Sequence, residues 1–302
     1  MYAQKPLTAY KLPEKQWRER AQPQKNMNFG KCGDHTRRVE SQTLSHLVRL
    51  RADILRSSHS EQQIREYYQT LYAAWGPQHW WPARARFEVI VGTYLTQNTS
   101  WNNVEAALRN LRGANVLSVH AIRKIPVAEL ERLIRPAGYF RQKAARLKTF
   151  VAFLDRQYGG SLSRMFHRPT EKLREELLQL NGVGPETADS ILLYGGQREV
   201  FVVDAYARRL LARHGILPEN TAYEEVRSLM ERALSAATAI LPSAVPMQPL
   251  PAHEPSPVSS LRRSPVAQIY NDGHGLIVAV GKRFCLKSKP HCDGCPLQKF
   301  LP

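Results

Sequence analysis

The chain of 302 residues carries 43 lysines and arginines against 26 aspartates and glutamates, a net charge of +17. This excess favours a polyanionic partner, with nucleic acid ahead of an acidic membrane surface; a soluble protein that is merely basic is the alternative. No stretch approaches the roughly 20 apolar residues of a membrane span, and no secretion signal is evident, so we expect no membrane partner. Three of the four cysteines fall within eleven residues, which does not fit a disulfide framework and favours a reducing cytoplasm.

The first part of the chain divides into three stretches. Residues 1–45 are rich in Lys, Arg, Gln and Pro, and predict a disordered basic arm that adds nonspecific DNA affinity. An upstream start-site artefact would give the same composition. Apolar residues recur at helical spacing over residues 44–75, until an aromatic loop, HWWP at residues 79–82, interrupts the pattern.

Most of the remaining chain has helical periodicity. The β-branched residues of segment 87–96 alone suggest a strand, but the apolar pattern continues to Leu111 and favours two helices joined near Gln97-Asn98-Thr99. The Pro- and Ser-rich segment 241–265 is interpreted as a flexible insertion. The predicted fold class is therefore all-α. Further helices are predicted over residues 129–134, 143–158, 171–179, 206–214, 223–236 and 268–280.

Residues 180–204 contain the strongest local motif. Two glycines flank Val183, and Pro185 suits the first turn of a helix, where a missing N–H costs nothing. Glycines let backbone N–H groups approach a phosphate, and a helix N-terminus adds partial positive charge, so a helix-hairpin-helix here can grip a nucleic-acid backbone. A turn that only packs is the alternative. The predicted DNA-binding residues of the hairpin are Leu180, Asn181, Gly182, Val183 and Gly184.

Three separated signals in this order resemble the helix-hairpin-helix DNA glycosylase superfamily. They are the Gly-rich hairpin, Asp204 after an apolar run in VVDAYARR, and the spacing Cys285-x6-Cys292-x2-Cys295. The last is similar to the start of the iron–sulfur loop of endonuclease III relatives. Residues 79–112, HWWPARARFEVIVGTYLTQNTSWNNVEAALRNLR, are more closely similar to the 3-methyladenine glycosylase branch, which shares a WWP…FE…LTQNT pattern.

The resemblance implies two helical domains with the active site in the cleft between them. A six-helix barrel carrying the hairpin is expected over residues 84–203. The second domain is expected to combine residues 46–83 with 204–302, including the cysteine loop of residues 285–302. The resemblance also implies a monomer that binds double-stranded DNA containing a damaged base, an alkylated purine if the branch holds, and that needs no nucleotide cofactor.

The resemblance assigns catalysis to Asp204. Breaking an N-glycosidic bond builds positive charge on the sugar, which a nearby carboxylate stabilises. Asp204 also suits a helix N-cap, and both roles are compatible. Bifunctional relatives place a Schiff-base lysine two residues after the second hairpin glycine, where this chain has Glu186. The resemblance therefore implies a monofunctional enzyme that uses water, with Glu186 either orienting that water or only favouring the helix dipole.

Aromatic side chains are expected to recognise the flipped base. Alkylated bases are electron-poor, so an electron-rich sandwich can select them. Trp80, Trp81 and Trp101 are the candidates, and the last two match stacking positions of the alkylpurine branch. Core packing is the alternative for each.

Two further DNA contacts are predicted outside the hairpin. Gln97 matches a residue that endonuclease III relatives insert into the gap left by the flipped base. Tyr139 and Phe140, which follow Gly138, are candidates for the opposing wedge. Polar and aromatic loop residues without such a role are the alternative.

The cysteine loop departs from the endonuclease III pattern. That pattern, C-x6-C-x2-C-x5-C, would place a fourth ligand at residue 301, which is Leu301. A cubane cluster normally takes four thiolates, and zinc also takes four ligands. Three interpretations stay open: a [4Fe-4S] cluster on Cys285, Cys292 and Cys295 with another ligand, a labile cluster, or a lost cluster whose loop survives. We favour a cluster.

Other residues near this loop also have candidate roles. His274 is a candidate to pack or hydrogen-bond under this loop, and a core histidine is the favoured interpretation. The loop is also basic, and its side chains are predicted to reach phosphate. The basic residues are Lys282, Arg283, Lys287, Lys289 and Lys299.

Two rival functions are compatible with the motifs. An endonuclease III-type pyrimidine-damage glycosylase with AP lyase activity is disfavoured by Glu186. A noncatalytic DNA-structure binder that kept the hairpin is disfavoured by Asp204, which such a protein would not need. Borohydride trapping separates the first rival from the favoured function, and unchanged base release by Asp204→Asn would favour the second.

Overall fold

The computed structural model describes residues 57–239 and 253–302. The predicted arm of residues 1–45, and the part of the predicted insertion up to residue 252, lie outside these ranges. No strand occurs among the described residues, which confirms the all-α fold class. The helices are α1 (57–75), α2 (Arg86–Thr96), α3 (Trp101–Gly113), α4 (Val119–Lys124), α5 (Val127–Ile134), α6 (Phe140–Tyr158), α7 (Leu162–His167), α8 (Thr170–Leu178), α9 (Pro185–Ser190), α10 (Ala205–Arg213), α11 (Tyr223–Ser235) and α12 (Pro265–Arg283).

Two hydrophobic cores hold the described helices together. The first is built by α2 to α9, where side chains such as Leu95 and Phe150 have no accessible surface. The second is built by α1, α10, α11 and α12 with the aromatic loop, and it includes the fully buried Phe201. Burial of each such side chain contributes roughly 1.5–3 kcal/mol. Trp101 packs against both cores, so the aromatic residues lie where the cores meet. The predicted domain bounds stay a prediction.

Segment 87–96 is helical rather than extended. It forms α2, and α3 follows after the short connection at residues 97–100, as the continued apolar periodicity predicted. Every residue from Phe87 to Leu95 is buried, because α2 is covered on all sides. The β-branched residues of this segment are therefore explained by the burial of a helix and do not indicate a strand.

The hairpin between α8 and α9 has the predicted construction. Gly182 has φ +79°, a left-handed conformation that favours glycine. Gly184 is the extended N-cap of α9, and Pro185 is its first residue. The Val183 N–H donates to the Leu180 carbonyl over 3.0 Å, closing the turn. Helix α9 then continues as a π-helical turn, Ile191–Gly195, a distortion that is frequent at functional sites.

A buried ion pair joins the two helices of this motif. Arg174 on α8 donates from Nε to Oδ1 of Asp189 on α9 over 2.6 Å, and from Nη2 to Oδ2 over 3.1 Å. The Asp189 side chain is fully buried. Arg174 also bonds Glu224 on α11, at 2.7 Å. The guanidinium therefore ties the helix-hairpin-helix to the second core.

The described end of the predicted insertion makes specific contacts. The Val258 N–H donates to the Ala83 carbonyl over 3.2 Å, and Ser256 Oγ donates to the Trp81 carbonyl over 3.3 Å. Val258 is buried. The Pro- and Ser-rich composition concealed these contacts, because they depend on a distant loop. In the part of the chain that the structure describes, no helix is long and apolar enough to cross a bilayer.

Candidate active site

A cavity of about 400 Å³ lies where the two cores meet. It brings together the predicted catalytic residues and the predicted base-stacking residues. It also admits residues that sequence reasoning did not assign to the active site. The predicted lining residues are Asp204, Glu186, Trp80, Trp81, Trp101 and Gln97, and the unpredicted ones include Tyr194, His274, Val278 and Lys282.

Asp204 is both the N-cap of α10 and a cavity residue. Its Oδ1 accepts a hydrogen bond from the Ala207 N–H at 2.8 Å, and 14% of its side chain is accessible. Burial acts to raise the pKa of this carboxyl, but His274 and the backbone N–H groups of Ala207 and Tyr206 outweigh burial and lower it. Asp204 is therefore held as a carboxylate, the state that stabilises positive charge on a sugar.

His274 connects Asp204 to the π-helical turn. Its Nε2 lies 3.5 Å from Asp204 Oδ2, and its Nδ1 lies 2.6 Å from the Tyr194 hydroxyl. His274 does not lie under the cysteine loop, and its buried ring agrees with the favoured interpretation as a core histidine. A signal existed in the sequence. His274, Val278 and Lys282 recur at i, i+4 and i+8 and form one stripe of α12 that lines the cavity.

Glu186 lies in the first turn of α9, facing the cavity. Glu186 is exposed to solvent, and the side chains of the surrounding cavity partly desolvate its carboxyl. This desolvation and the charge of Asp204 raise the pKa of the Glu186 carboxyl to about 7, against smaller lowering effects of His274 and Arg208. Two neighbouring carboxyls thus have pKa values pushed in opposite directions, a pattern that separates acid and base roles.

The three tryptophans form one aromatic cluster in the cavity wall. The ring centroids of Trp81 and Trp101 are 5.3 Å apart in an edge-on arrangement, and Trp80 lies 5.4–5.5 Å from both. Trp80 and Trp81 are buried, whereas Trp101 is half-buried. A Cβ at Gly92 would lie 3.1 Å from the Trp81 ring, so this glycine lets the ring rest on α2. The tryptophans are therefore core residues and cavity residues at once.

Lys282 enters the same cavity near the C-terminal end of α12. Its Nζ lies over the Trp80 ring, 5.6 Å from the centroid. Burial lowers the pKa of the ammonium group, and the charge of Asp204 partly opposes that shift. The sequence predicts that Lys282 contacts phosphate, together with the other basic residues of the cysteine loop. The structure instead places it beside the tryptophans, one helical turn after Val278.

Gln97 is held against the hairpin. Its Nε2 donates to the Gly182 carbonyl at 2.9 Å and to Thr187 Oγ1 at 3.0 Å, while its Oε1 accepts from Arg146 Nη1 at 2.6 Å. Arg146, which sequence reasoning missed, underlies the hairpin and gives it a fixed positive charge. Insertion of Gln97 into DNA stays a prediction, and it would require these bonds to break.

Tyr139 and Phe140 do not line the cavity. Tyr139 is 65% exposed and precedes α6 with φ +46°. The guanidinium groups of Arg135 and Arg141 lie 5.7 and 5.8 Å from the Phe140 ring. An exposed aromatic residue within a basic surface suits a DNA contact, and that role stays a prediction.

The three C-terminal cysteines line a second, smaller cavity together with Leu301. Arg213 Nη1 donates to the buried Cys285 Sγ over 3.3 Å, which places a positive charge beside this sulfur. Within residues 57–239 and 253–302, no group of three or more His, Cys, Asp or Glu side chains is arranged to hold a metal ion. The cavity is therefore lined by three thiols. The expected fourth position is Leu301, whose side chain cannot bind a metal ion.

Comparison with known proteins agrees with this fold and site. Residues 91–236 match the family described as HhH-GPD superfamily base excision DNA repair protein. A protein of Methanocaldococcus jannaschii named as a DNA repair glycosylase is 40% identical over 240 residues, which are 79% of this chain and 96% of that protein. Endonuclease III of Thermotoga maritima is 27% identical over 70% of this chain and 80% of its own length.

Solved structures give the same result. The 3-methyladenine DNA glycosylase of H. pylori bound to 1,N6-ethenoadenine superposes with a TM-score of 0.58 and 28% identity, covering 74% of this chain and 97% of that one. An endonuclease III trapped covalently on DNA shares the fold, with a TM-score of 0.59. The chain belongs to the HhH-GPD superfamily, which confirms the resemblance found in its motifs. It is a DNA N-glycosylase of base excision repair, and its partner is DNA.

Proposed function

We propose that this glycosylase is monofunctional and hydrolyses the N-glycosidic bond of an alkylated purine. The observation that carries the proposal is the joint presence of Asp204, Glu186 and the three tryptophans in one cavity. Stacking on aromatic side chains contributes about 1–3 kcal/mol per base. The H. pylori relative, which is bound to 1,N6-ethenoadenine, supports an alkylated purine as the substrate.

The two carboxyls divide the chemistry. As the bond breaks, the leaving base takes its electron pair and positive charge develops on the sugar, where the Asp204 carboxylate stabilises it. Water then adds to the sugar carbon. The pKa of Glu186 is raised to about 7, so this carboxylate is suited to accept the proton of that water near neutral pH and to release it to solvent afterwards.

A lesion panel tests the reaction. Duplexes carrying 1,N6-ethenoadenine, 3-methyladenine, hypoxanthine, uracil or thymine glycol are incubated with the protein, and released base is measured. We expect release of the alkylated purines. Asp204→Asn lowers the single-turnover rate on the order of 10²–10³-fold, because it removes the stabilising charge. Asp155→Asn, an exposed carboxylate paired with Arg123, is the matched control.

Borohydride trapping tests the monofunctional mechanism. A glutamate cannot form an imine, so no covalent DNA adduct is expected. The cavity also contains the amine of Lys282, and the experiment therefore includes Lys282→Met. A robust adduct with wild-type protein would overturn the monofunctional proposal, and loss of that adduct in Lys282→Met would identify the responsible amine.

We also propose that the cysteine loop holds an iron–sulfur cluster through Cys285, Cys292 and Cys295. The support is that the three thiols line one cavity, with Arg213 donating to the first of them. Such a cluster would join the two ends of residues 285–295 within the cysteine loop. Protein purified without oxygen is assayed for iron and acid-labile sulfide, with Cys292→Ser as the comparison. We expect iron and sulfide in the wild-type protein and not in Cys292→Ser. Wild-type protein without iron and sulfide would contradict the proposal and indicate a loop that has lost its cluster.

A further inference from the structure

The cation of Lys282 occupies a position in the base cavity that a charged base would otherwise seek. The face of a tryptophan attracts cations, and Lys282 Nζ already lies over Trp80 at 5.6 Å from the ring centroid. Both residues line the cavity. A flipped base that carries its own positive charge would therefore meet a like charge beside the aromatic wall.

The remaining charges of the cavity act in the opposite direction. Asp204 is held ionised, and Glu186 ionises near neutral pH. His274 lies between Asp204 and Tyr194, on the same stripe of α12 as Lys282. Without Lys282 the carboxylates and tryptophans would favour a cationic base. The lysine is thus the group in the described cavity that opposes this preference.

We propose that Lys282 is a specificity-determining residue that favours neutral alkylated purines over cationic ones. This inference rests on the proposed alkylpurine function. Neutral lesions include etheno adducts, whose ring carries no formal charge. Cationic lesions include purines methylated at N3 or N7, in which the ring is charged while the glycosidic bond is intact.

Leaving-group chemistry points in the same direction. A cationic base that takes the electron pair of the glycosidic bond leaves as a neutral molecule and needs no assistance. A neutral base leaves with negative charge unless it gains a proton, so a hydrogen-bond donor at a ring nitrogen lowers the barrier. The Lys282 ammonium is such a donor. In the overall hydrolysis of a neutral base, water supplies hydroxide to the sugar carbon and the proton that ends on the base. With a cationic base, that proton goes to solvent.

The two effects give Lys282→Met opposite consequences for the two lesions. Loss of the donor slows release of a neutral base, and loss of the positive charge speeds release of a cationic base. A variant that merely folds poorly or binds DNA weakly would slow both. Opposite changes in the two release rates therefore separate a role in specificity from a structural role.

The experiment measures single-turnover release of 1,N6-ethenoadenine and 7-methylguanine from otherwise identical duplexes. Wild-type protein is compared with Lys282→Met and with Lys282→Arg, which keeps the charge. Arg283→Met, at the neighbouring exposed position, controls for loss of a basic side chain at this helix end. We expect the neutral-to-cationic rate ratio to fall about two- to fivefold in Lys282→Met, in line with a cation–π contact at an exposed position, and to stay near wild type in the other two variants.

Three results would overturn the inference. The ratio could be unchanged in Lys282→Met, or both rates could fall by the same factor. Arg283→Met could also change the ratio as much as Lys282→Met does. Release of neither lesion by the wild-type protein would overturn the alkylpurine function, and this inference with it.

Discussion

Nε2 of His274 lies 3.5 Å from Oδ2 of Asp204. The other oxygen, Oδ1, is bonded to the Ala207 N–H. Asp204 is therefore stabilised from two directions, by a helix N-terminus that sequence reasoning anticipated and by an imidazole that it did not. This arrangement keeps a half-buried carboxylate ionised while no base or sugar is bound.

Removing His274 is expected to shift the acidic limb of the pH–rate profile. The imidazole lowers the pKa of both Asp204 and Glu186, so His274→Gln raises both values and moves the limb to higher pH. Tyr194→Phe is the control, because it removes the hydrogen bond to His274 and keeps the ring beside Asp204. Single-turnover rates across the acidic range provide the measurement. A limb that stays in place in His274→Gln would contradict the role assigned to the imidazole.

Glu186→Gln is expected to change how stability depends on pH. The folded-state pKa of Glu186 is about 7, above its ordinary value of 4.5, so between these values the folded protein binds more protons than the unfolded chain. Stability of the wild type therefore falls as pH rises through this window. The Tm of Glu186→Gln relative to wild type should rise across the window and then level off. Glu225→Gln, at an exposed position of α11, controls for loss of a carboxylate, and a flat difference for Glu186→Gln would refute the prediction.

The two hairpin glycines are expected to respond differently to alanine. At Gly182, φ is +79° and a Cβ would lie 2.0 Å from Arg146 Nε, so Gly182→Ala costs about 1 kcal/mol or more of folding free energy and displaces Arg146. At Gly184, no atom lies within 4 Å of the added carbon. Gly184→Ala should leave the free energy of unfolding within about 0.5 kcal/mol of wild type.

DNA affinity then tests the hairpin itself. A methyl group at Gly184 separates the backbone N–H groups from a phosphate, so Gly184→Ala should weaken binding to undamaged duplex without destabilising the protein. Denaturant unfolding and DNA binding at fixed salt concentration are measured together. Unchanged affinity in Gly184→Ala would mean that the hairpin does not contact the DNA backbone closely.

Breaking the ion pair between Arg174 and Asp189 is expected to be costly. Arg174→Met leaves a fully buried carboxylate without its cation, which destabilises by about 3–5 kcal/mol. Replacing both partners, as Arg174→Met with Asp189→Leu, should recover much of that loss. Lys172→Met breaks an exposed pair on the same helix and should cost at most about 1 kcal/mol. A cost for Arg174→Met no larger than that of Lys172→Met would show that the buried pair is not the link between the helices.

The residues that sequence could predict are those whose roles follow from their neighbours in the chain. Gly182, Pro185 and Asp204 lie in a contiguous motif, so their backbone requirements and the helix starts are visible locally. The two helices α2 and α3 follow from periodicity in the same way. The structure confirms the helix starts at Pro185 and after Asp204, and the two helices α2 and α3.

The residues that sequence reasoning missed depend on packing between distant helices. His274 and Lys282 reach the cavity only because α12 packs beside α10 and the π-helical turn. Arg146 reaches Gln97, 49 residues earlier, because α6 lies beside α2. Periodicity groups residues on one face of a helix, but it does not state which neighbour that face meets. The cavity partners could therefore not be paired in advance.

The hydrogen bond from Ser256 to the Trp81 carbonyl spans 175 positions of the chain. His253, three residues earlier, adds its ring to the tryptophan cluster, 5.3 Å from Trp80. The aromatic wall of the cavity is thus shaped in part by a stretch whose composition resembles a linker. Lesion preference in such an enzyme can diverge between relatives through changes in this stretch, while the carboxylates and the hairpin stay the same.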